Sequence, residues 1–393
     1  MGVRELPMNQ TARIISIYAA DTSGVCSALY EFGGMTVIHD ASGCNSTYTT
    51  HDEPRWYDMD SMMFISGLTE NDAVMGNDEK FISDLETAAE ELKPEYVAIC
   101  ASPMPAMIGI DMEAIAYEVE NRTGIPSFNV KTNGMQSYIT GAANAFTELS
   151  ERFTGTSEEE KVPGTVKVNI LGLTPLDFPL GTEKKLGDWL NKGGFSVNAN
   201  IGMGTSLDEI RRLDKADVSL VVSSIGRPLA ESLYKRYGIP YVIGVPYGKR
   251  FAEELLKELK CAADAEGDKA PRVHISSDLR KYDNRIAVVG ESVLATSLAA
   301  AISLDTGFGT RVLETVGDGD MSQLSNEDIS CDDEDRLEKE LAGSEIVIAD
   351  PLFRPICMDK KFIRLVHDAF SGRCFSKEAI DMIDTEITFF SEL

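Results

Sequence analysis

Short apolar runs alternate with longer stretches in which apolar positions recur every three or four residues. "TARIISIYA", "GMTVIHD", "MMFIS", "PEYVAIC" and "PSFNVKT" have the length and the apolar content of buried strands. Between the last three lie "NDEKFISDLETAAEELK" and "MEAIAYEVENRTG", both with helical spacing. The second stops at Gly124 ahead of Ile125-Pro126. The alternation resumes at "VKVNILGLT" and continues through the helix "TEKKLGDWLNKGG" and the strand "FSVNANIG". In "SLDEIRRLDKA" Ser206 is placed to cap a helix, with Glu209 completing a capping box. "VSLVVSS", "PLAESLYKRYG", "PYVIGVPYG" and "KRFAEELLKELK" follow. A third round begins at "NRIAVVGES" and the helix "VLATSLAAAISLDTG", and runs through "TRVLETVGD" to the strand "EIVIADP". Strand alternating with helix predicts mostly parallel sheets with helices on both faces.

Two polar stretches punctuate the pattern: "TGTSEEEKVPG" at 154–164 and "AADAEGDKAPR" ahead of the third round. They divide the chain into expected domains at 1–155, 165–275 and 283–393. A length of 393 residues suits two or three domains, each able to bury its own core.

Composition and charge narrow the function. Apolar residues make up 43%, which marks a globular chain. No apolar run reaches the roughly 18 residues of a membrane helix. The N-terminal "MGVRELPMNQTARI" lacks the apolar core of a signal peptide, so a cytoplasmic protein is expected. Leu6 also stands where a myristoylation motif has Ser or Thr. A formal net charge of −27 repels nucleic acid and suits a basic partner surface. The seven cysteines are scattered without a CxxC pair. That spacing argues against a zinc site, and a cytoplasmic setting argues against disulfides. Any metal site must be assembled from distant residues, a subunit boundary included.

The candidate chemistry lies at strand ends. Cys44, in "VIHDASGCNSTYTTHDEPRW", sits on a small-residue turn just past a strand. Cys100 ends the strand "YVAIC". Ends of neighbouring parallel strands meet at one edge, where ligands bind, so these two cysteines can converge. Thiolates suit iron–sulfur clusters. Cys26, in "DTSGVCSALYEFGG", follows the first expected strand and is either a third ligand or a packed residue at the start of a helix. "GVPYGKR" at 244–250 looks like a phosphate loop. It is one residue short between its glycines, and Arg250 replaces the hydroxyl residue that would hold Mg²⁺. Cys261, at the end of a charged helix, reads as structural or exposed, and Cys374 as structural. Around Cys331 the acidic neighbours disfavour a thiolate. Cys357 follows a strand end and is a weak candidate for the same crevice. His39 reads as packed beneath the Cys44 turn. Arg55 and Trp56 read as partner contacts or as cover for the core.

"IHDASGC", "FISGLTENDAVMGNDEKFISDLE" and "YVAICASPMPAMIGIDMEAIAYEVENRTGIPSFNVKTNGMQSYITGA" together resemble nitrogenase component 1. That family takes in the molybdenum–iron protein chains, the cofactor scaffold pair, the dark-operative tetrapyrrole reductases and the nickel-tetrapyrrole reductase of methanogens. The resemblance covers most of the chain and implies three Rossmann-like domains. It implies that Cys44 and Cys100 match the second and third cluster cysteines of the family. The first should fall near 19–21, where this chain has none. Either Cys26 or Asp21 substitutes for it, or the chain supplies fewer ligands. That departure favours a [4Fe–4S] cluster at a subunit interface over an eight-iron cluster. His367, in "FIRLVHDAFSGR", resembles the family's late histidine, a ligand of a second, active-site metal cofactor. Cys261 matches no cysteine motif of that cofactor, which argues against nitrogen fixation. The implied function is a subunit of a two-component reductase. It would take low-potential electrons from an ATP-dependent iron protein and pass them to a small-molecule substrate, as a homodimer or with a sister chain. A cluster-assembly scaffold without turnover and a cluster-free binding subunit are the other readings.

Overall fold

A computed structural model describes residues 13–17, 20–41, 53–158, 164–264, 278–317, 321–331, 333–357, 359–380 and 382–388. The first unit runs α1 (Asp21–Leu29), β1 (Met35–His39), β2 (Met62–Ile65), α2 (Glu70–Met75), α3 (Asp78–Leu92), β3 (Val97–Ala101), α4 (Pro103–Ile108), α5 (Met112–Thr123), β4 (Ser127–Val130) and α6 (Tyr138–Phe153). The second runs β5 (Val166–Leu171), α7 (Thr182–Lys192), β6 (Phe195–Ile201), α8 (Leu207–Arg211), β7 (Val218–Val221), α9 (Arg227–Tyr237), β8 (Tyr241–Ile243) and α10 (Lys249–Asp264). The third runs β9 (Ile286–Gly290), α11 (Ser292–Thr306), β10 (Arg311–Glu314), β11 (Ile329–Ser330), α12 (Glu334–Leu341), β12 (Ile346–Ala349), β13 (Lys361–Arg364) and α13 (Asp368–Ser371).

The sheet orders are β2-β1-β3-β4, β6-β5-β7-β8 and β11-β10-β9-β12-β13. Every named strand pair is parallel. The α/β class with mostly parallel sheets is therefore the observed architecture. Central strands such as β3 and β9 are buried along their whole length, as helix-covered parallel strands must be. The helices form for local reasons. α3 buries Phe81, Ile82, Leu85 and Ala89 and ends at left-handed Lys93. α5 starts where the Asp111 side chain accepts the Ala114 N–H and ends at left-handed Gly124. One apolar core runs through all three units, with smaller clusters beneath the outer faces of the first and third.

Each sheet reverses its strand order at one place: β1/β3, β5/β7 and β9/β12. Loops leave in opposite directions there and open a crevice at the carboxyl ends of the strands. These three crevices carry the chemistry described below.

Two sequence expectations change. Residues 13–17 of the first expected strand form no strand. Arg13 instead meets Glu334 and Glu338 of α12 at 2.5 and 2.6 Å, and the Ile17 N–H donates to Phe370 O at 3.0 Å. Their apolar content serves a contact with the third unit. Ser206 precedes α8, but its side chain makes no cap bond, and Glu209 pairs with Arg212 at 3.0 Å.

α1 is buried over all nine residues. Glycine permits this: a Cβ on Gly24 would lie 1.9 Å from Tyr138 O, and one on Gly141 would lie 1.9 Å from Asp21 O. The backbones of α1 and α6 therefore touch, and that contact fixes where Asp21 and Cys26 sit.

Candidate functional site

In the first crevice, Ile38 of β1 pairs with Cys100 of β3, and His39 with Ala101. The two strand exits are tied together. Ser102 N–H donates to His39 O at 3.2 Å, and the Ser102 hydroxyl donates to Asp40 Oδ1 at 2.6 Å. Cys100 is fully buried. Burial pushes its thiol well above the ordinary range, nearby Cys26 and Asp21 add to the rise, and Thr132 opposes it. Burial, helped by Glu53, pushes the Cys26 thiol up to about 12. Asp21 Oδ2 accepts the Asn133 N–H at 2.9 Å, and Oδ1 accepts the Gly134 and Thr22 N–H groups, each at 2.8 Å. Burial still raises this carboxyl above its ordinary value against those bonds.

The structure thus gathers Asp21, Cys26 and Cys100 in one buried region, while Cys44 lies outside the described residues. Among the described residues no group of three or more His, Cys, Asp or Glu side chains is arranged to hold a metal ion. A [4Fe–4S] cluster takes four thiolates. The described residues here offer two thiols that burial keeps protonated, beside a carboxylate already committed to backbone N–H groups. Among the described residues this donor set is short of a complete one.

The second and third crevices face each other. Asp177, past β5, accepts from Ser223, past β7, at 2.5 Å and from the Tyr138 hydroxyl of α6 at 2.7 Å. His367 Nε2 lies 2.8 Å from the same carboxylate and 3.4 Å from the Tyr138 hydroxyl. All three units therefore meet at Asp177. Burial pulls His367 down, but Asp177 outweighs it and the net shift is upward. Burial and the neighbouring Asp177 push the Tyr138 phenol well above its ordinary value.

Glu291, one residue past β9, bonds Ser224 across the boundary between the second and third units. It also caps α11 through the Val293 and Leu294 N–H groups. Burial, then Asp177, raises it to about 7. Asp350, past β12, accepts from the His367 N–H at 2.8 Å and from Ser371 at 2.9 Å. A cavity of about 440 Å³ opens beside Asp177, between Pro175, Phe178, Val366 and Arg373. A smaller one of about 40 Å³, lined by His367 and Glu291, adjoins it through Asp177, Pro179, Val366 and Ala379. Asp368, on the larger cavity, is raised to about 6 by burial although Ser376 donates to it.

His367 is the residue of this centre that the sequence singles out. Asp177, Glu291 and Asp350 are missed. The signal for them is positional: in "LGLTPLD", "VVGES" and "IVIADP" a carboxylate follows a buried strand.

Other candidates resolve differently. Cys331 is buried, and burial lifts its thiol to about 11 ahead of any acidic neighbour. Cys357 is buried in an apolar cluster with Phe353 and Ile356, so it does not face the crevice, and burial lifts it to about 11. Cys261 and Cys374 are exposed. His39 is packed as expected, stacked on Phe81 at 4.1 Å, and burial lowers it to about 4. Arg55 is no surface contact: it is buried, paired with Glu31 at 2.9 Å and Glu53 at 2.6 Å, and donates to Ser27 O and Gly202 O. At the phosphate-loop lookalike, the Lys249 and Arg250 N–H groups that open α10 donate to Asp305. A carboxylate already holds the place a phosphate would take.

Residues 22–354 match the family described as "Nitrogenase component 1 type Oxidoreductase". The chain belongs to that family. Among its relatives, the nitrogenase iron-molybdenum cofactor biosynthesis protein NifE of Clostridium pasteurianum is 27% identical over 64% of this chain and 56% of that protein. The nitrogenase molybdenum-iron protein alpha chain of Methanosarcina barkeri is 25% identical over 49% and 36%. A light-independent protochlorophyllide reductase subunit of Prosthecochloris aestuarii is 25% identical over 59% and 44%. The chain thus spans between a third and just over a half of these relatives. The solved structure "Nitrogenase Cp1 at pH 6.5" superposes with a TM-score of 0.67 at 14% identity, covering 97% of this chain and 93% of the other, a likeness of fold. This family of nitrogenase-like oxidoreductases thus holds both catalytic chains and a cofactor-assembly protein among the relatives found. No helix among the described residues is long and apolar enough to cross a membrane.

Proposed function

We propose that the protein is the cluster-bearing subunit of a cytoplasmic, nitrogenase-like two-component reductase, with domains at 1–155, 165–275 and 283–393. An ATP-dependent iron protein delivers low-potential electrons to it, and a small molecule bound between the three units receives them. The observation that carries this reading is the register of Ile38 with Cys100. The segment leaving β1 toward Cys44 therefore starts beside Cys100, at the ligand-binding edge of the first sheet. Cys44 and Cys100 would hold an iron–sulfur cluster with either Cys26 or Asp21 as a further ligand, and a homodimeric partner or a sister chain would complete the set. Such a cluster supplies one-electron transfer at low potential.

The chain's own residues do the rest. The buried walls around Cys100 exclude water. At the three-unit junction, His367 shares a proton with Asp177, and Glu291, raised to about 7, and Asp368, raised to about 6, exchange protons at or just below neutrality beside the cavities. His367 as a ligand of a second metal cofactor belongs to this proposal too. Its Nε2 faces a carboxylate, the usual partner of a metal-ligating histidine.

The test is iron and acid-labile sulfide on anaerobically purified protein, alone and with a co-expressed sister chain, for wild type, Cys44→Ala and Cys100→Ala. About two irons per chain, lost in both variants, is expected for a four-iron cluster shared by two subunits. No iron after reconstitution sinks the reading. The alternative, a cluster-assembly scaffold, is favoured by the NifE relative, and among the described residues no cysteine lines either cavity. A scaffold would hand iron to a recipient protein and consume no substrate when the iron protein and ATP are supplied.

A further inference from the structure

Away from the junction, an open pocket of about 480 Å³ is lined by Arg354, Lys360, Lys361 and Arg364, with Phe362 and Phe375 as apolar walls. No carboxylate is among its described lining residues. In a chain of net charge −27 this gathering of cations is out of character. It arises because the turn after β12 brings Arg354 against the edge strand β13 and the residue before it, which carry the other three. Lysine on an edge strand is a common guard against pairing with another sheet. That role does not call for a concavity, or for an arginine from a second element.

The charges do not cancel. Lys360 pairs with Asp359 at 3.5 Å, and Arg364 pairs with Glu378. Arg354 and Lys361 have no carboxylate partner among the described residues. Arg354 lies over the Phe362 ring, 5.2 Å from its centroid, and gives one N–H to Lys360 O at 3.4 Å. A guanidinium without a carboxylate partner has N–H groups to give a ligand, and its planar fork suits bidentate oxyanions.

We propose that this pocket binds a small dianion carrying an apolar or aromatic body, either a phosphate monoester or a dicarboxylate. The two unanswered cations set the charge, and Phe362 and Phe375 receive the body. The site is independent of the cluster and of the junction cavities, with which it shares no lining residue.

Calorimetric titration of the full chain at low salt with phenyl phosphate, phthalate and benzoate tests it. At least one of the two dianions should bind at least about tenfold more tightly than monoanionic benzoate, and weaken with added salt. The tighter of the two identifies the oxyanion class. The double variant R354Q/K361Q should lose about tenfold or more. The charge-matched control K192Q/K235Q, at exposed positions elsewhere, should bind as wild type does. Circular dichroism confirms that both variants are folded. Absence of dianion binding in the millimolar range, or equal affinity in the two double variants, overturns the proposal.

Discussion

His367 Nε2 and Asp177 Oδ1 are 2.8 Å apart, and that contact joins the third unit to the second. Both side chains are buried. Asp177 also takes the hydroxyls of Tyr138 and Ser223, so one carboxylate gathers side chains from all three units. Breaking a buried ion pair on one side costs roughly 3–5 kcal/mol, because the remaining charge loses its partner.

The pH dependence follows from the upward shift of His367. A raised histidine stabilises the fold fully below its unfolded value of about 6.5, and the contribution is lost as pH rises through the folded value. Asp177→Asn should therefore lower the unfolding midpoint more at pH 6 than at pH 9. Urea unfolding at the two pH values checks this. An equal loss at both would mean that the pair is not ionic.

His39 works in the opposite sense. Burial against Phe81 lowers it to about 4. The neutral ring contributes stability above the unfolded value of about 6.5, and that contribution is lost as pH falls toward 4. The shift corresponds to roughly 3 kcal/mol. His39→Gln should flatten the acid limb of a stability–pH curve between those values. An unchanged acid limb would refute the assignment.

Much of the architecture is legible because it depends on local pattern. "IAVVG" and "VAICA" are apolar on both faces, and only a helix-covered parallel strand reads that way. What fails depends on distant partners. The apolar "RIISI" suggests a strand, yet its first residue meets Glu334, 321 positions away. Arg55 reads either as a partner contact or as cover for the core, and the sequence does not choose, because Glu31 and Gly202, which bury it, are not its sequence neighbours. Glu291 and Asp350 directly follow a buried strand, and Asp177 lies six residues past one, each beside a switch point. No one of them is informative until the three sheets are brought together.

Arg55 is a strong test of that buried network. Its guanidinium answers two buried carboxylates and two carbonyls, one of them Gly202 O in the second unit. Arg55→Ala leaves Glu31 and Glu53 without their cation, and a loss of about 3–5 kcal/mol is expected. Arg55→Lys should recover only part, since an ammonium cannot reproduce the planar fork. Thermal unfolding of the two variants measures both effects. A loss under about 1 kcal/mol for Arg55→Ala would mean that the carboxylates are otherwise satisfied.

The helix contact beneath the first crevice offers a test that links packing to chemistry. A methyl on Gly141 would meet Asp21 O at 1.9 Å, so α1 must move or α6 must bend. Overpacking of this kind costs roughly 1–3 kcal/mol, and a backbone clash lies at the upper end. Gly187, inside α7, is the control: its Cβ would meet only Val197 at 3.8 Å. Gly187→Ala should stabilise by about 0.5–1 kcal/mol, because alanine suits a helix interior better than glycine. Gly141→Ala should also displace Cys26, whose burial holds its thiol near 12 and inert. In cluster-free protein an alkylating reagent should label exposed Cys261 and Cys374 in both variants, and reach Cys26 faster in Gly141→Ala alone. Mass spectrometry of the labelled peptides reads this directly. If Gly141→Ala is as stable as Gly187→Ala and Cys26 stays unlabelled, the two helices have room between them, and the glycine contact does not fix the position of Asp21 and Cys26.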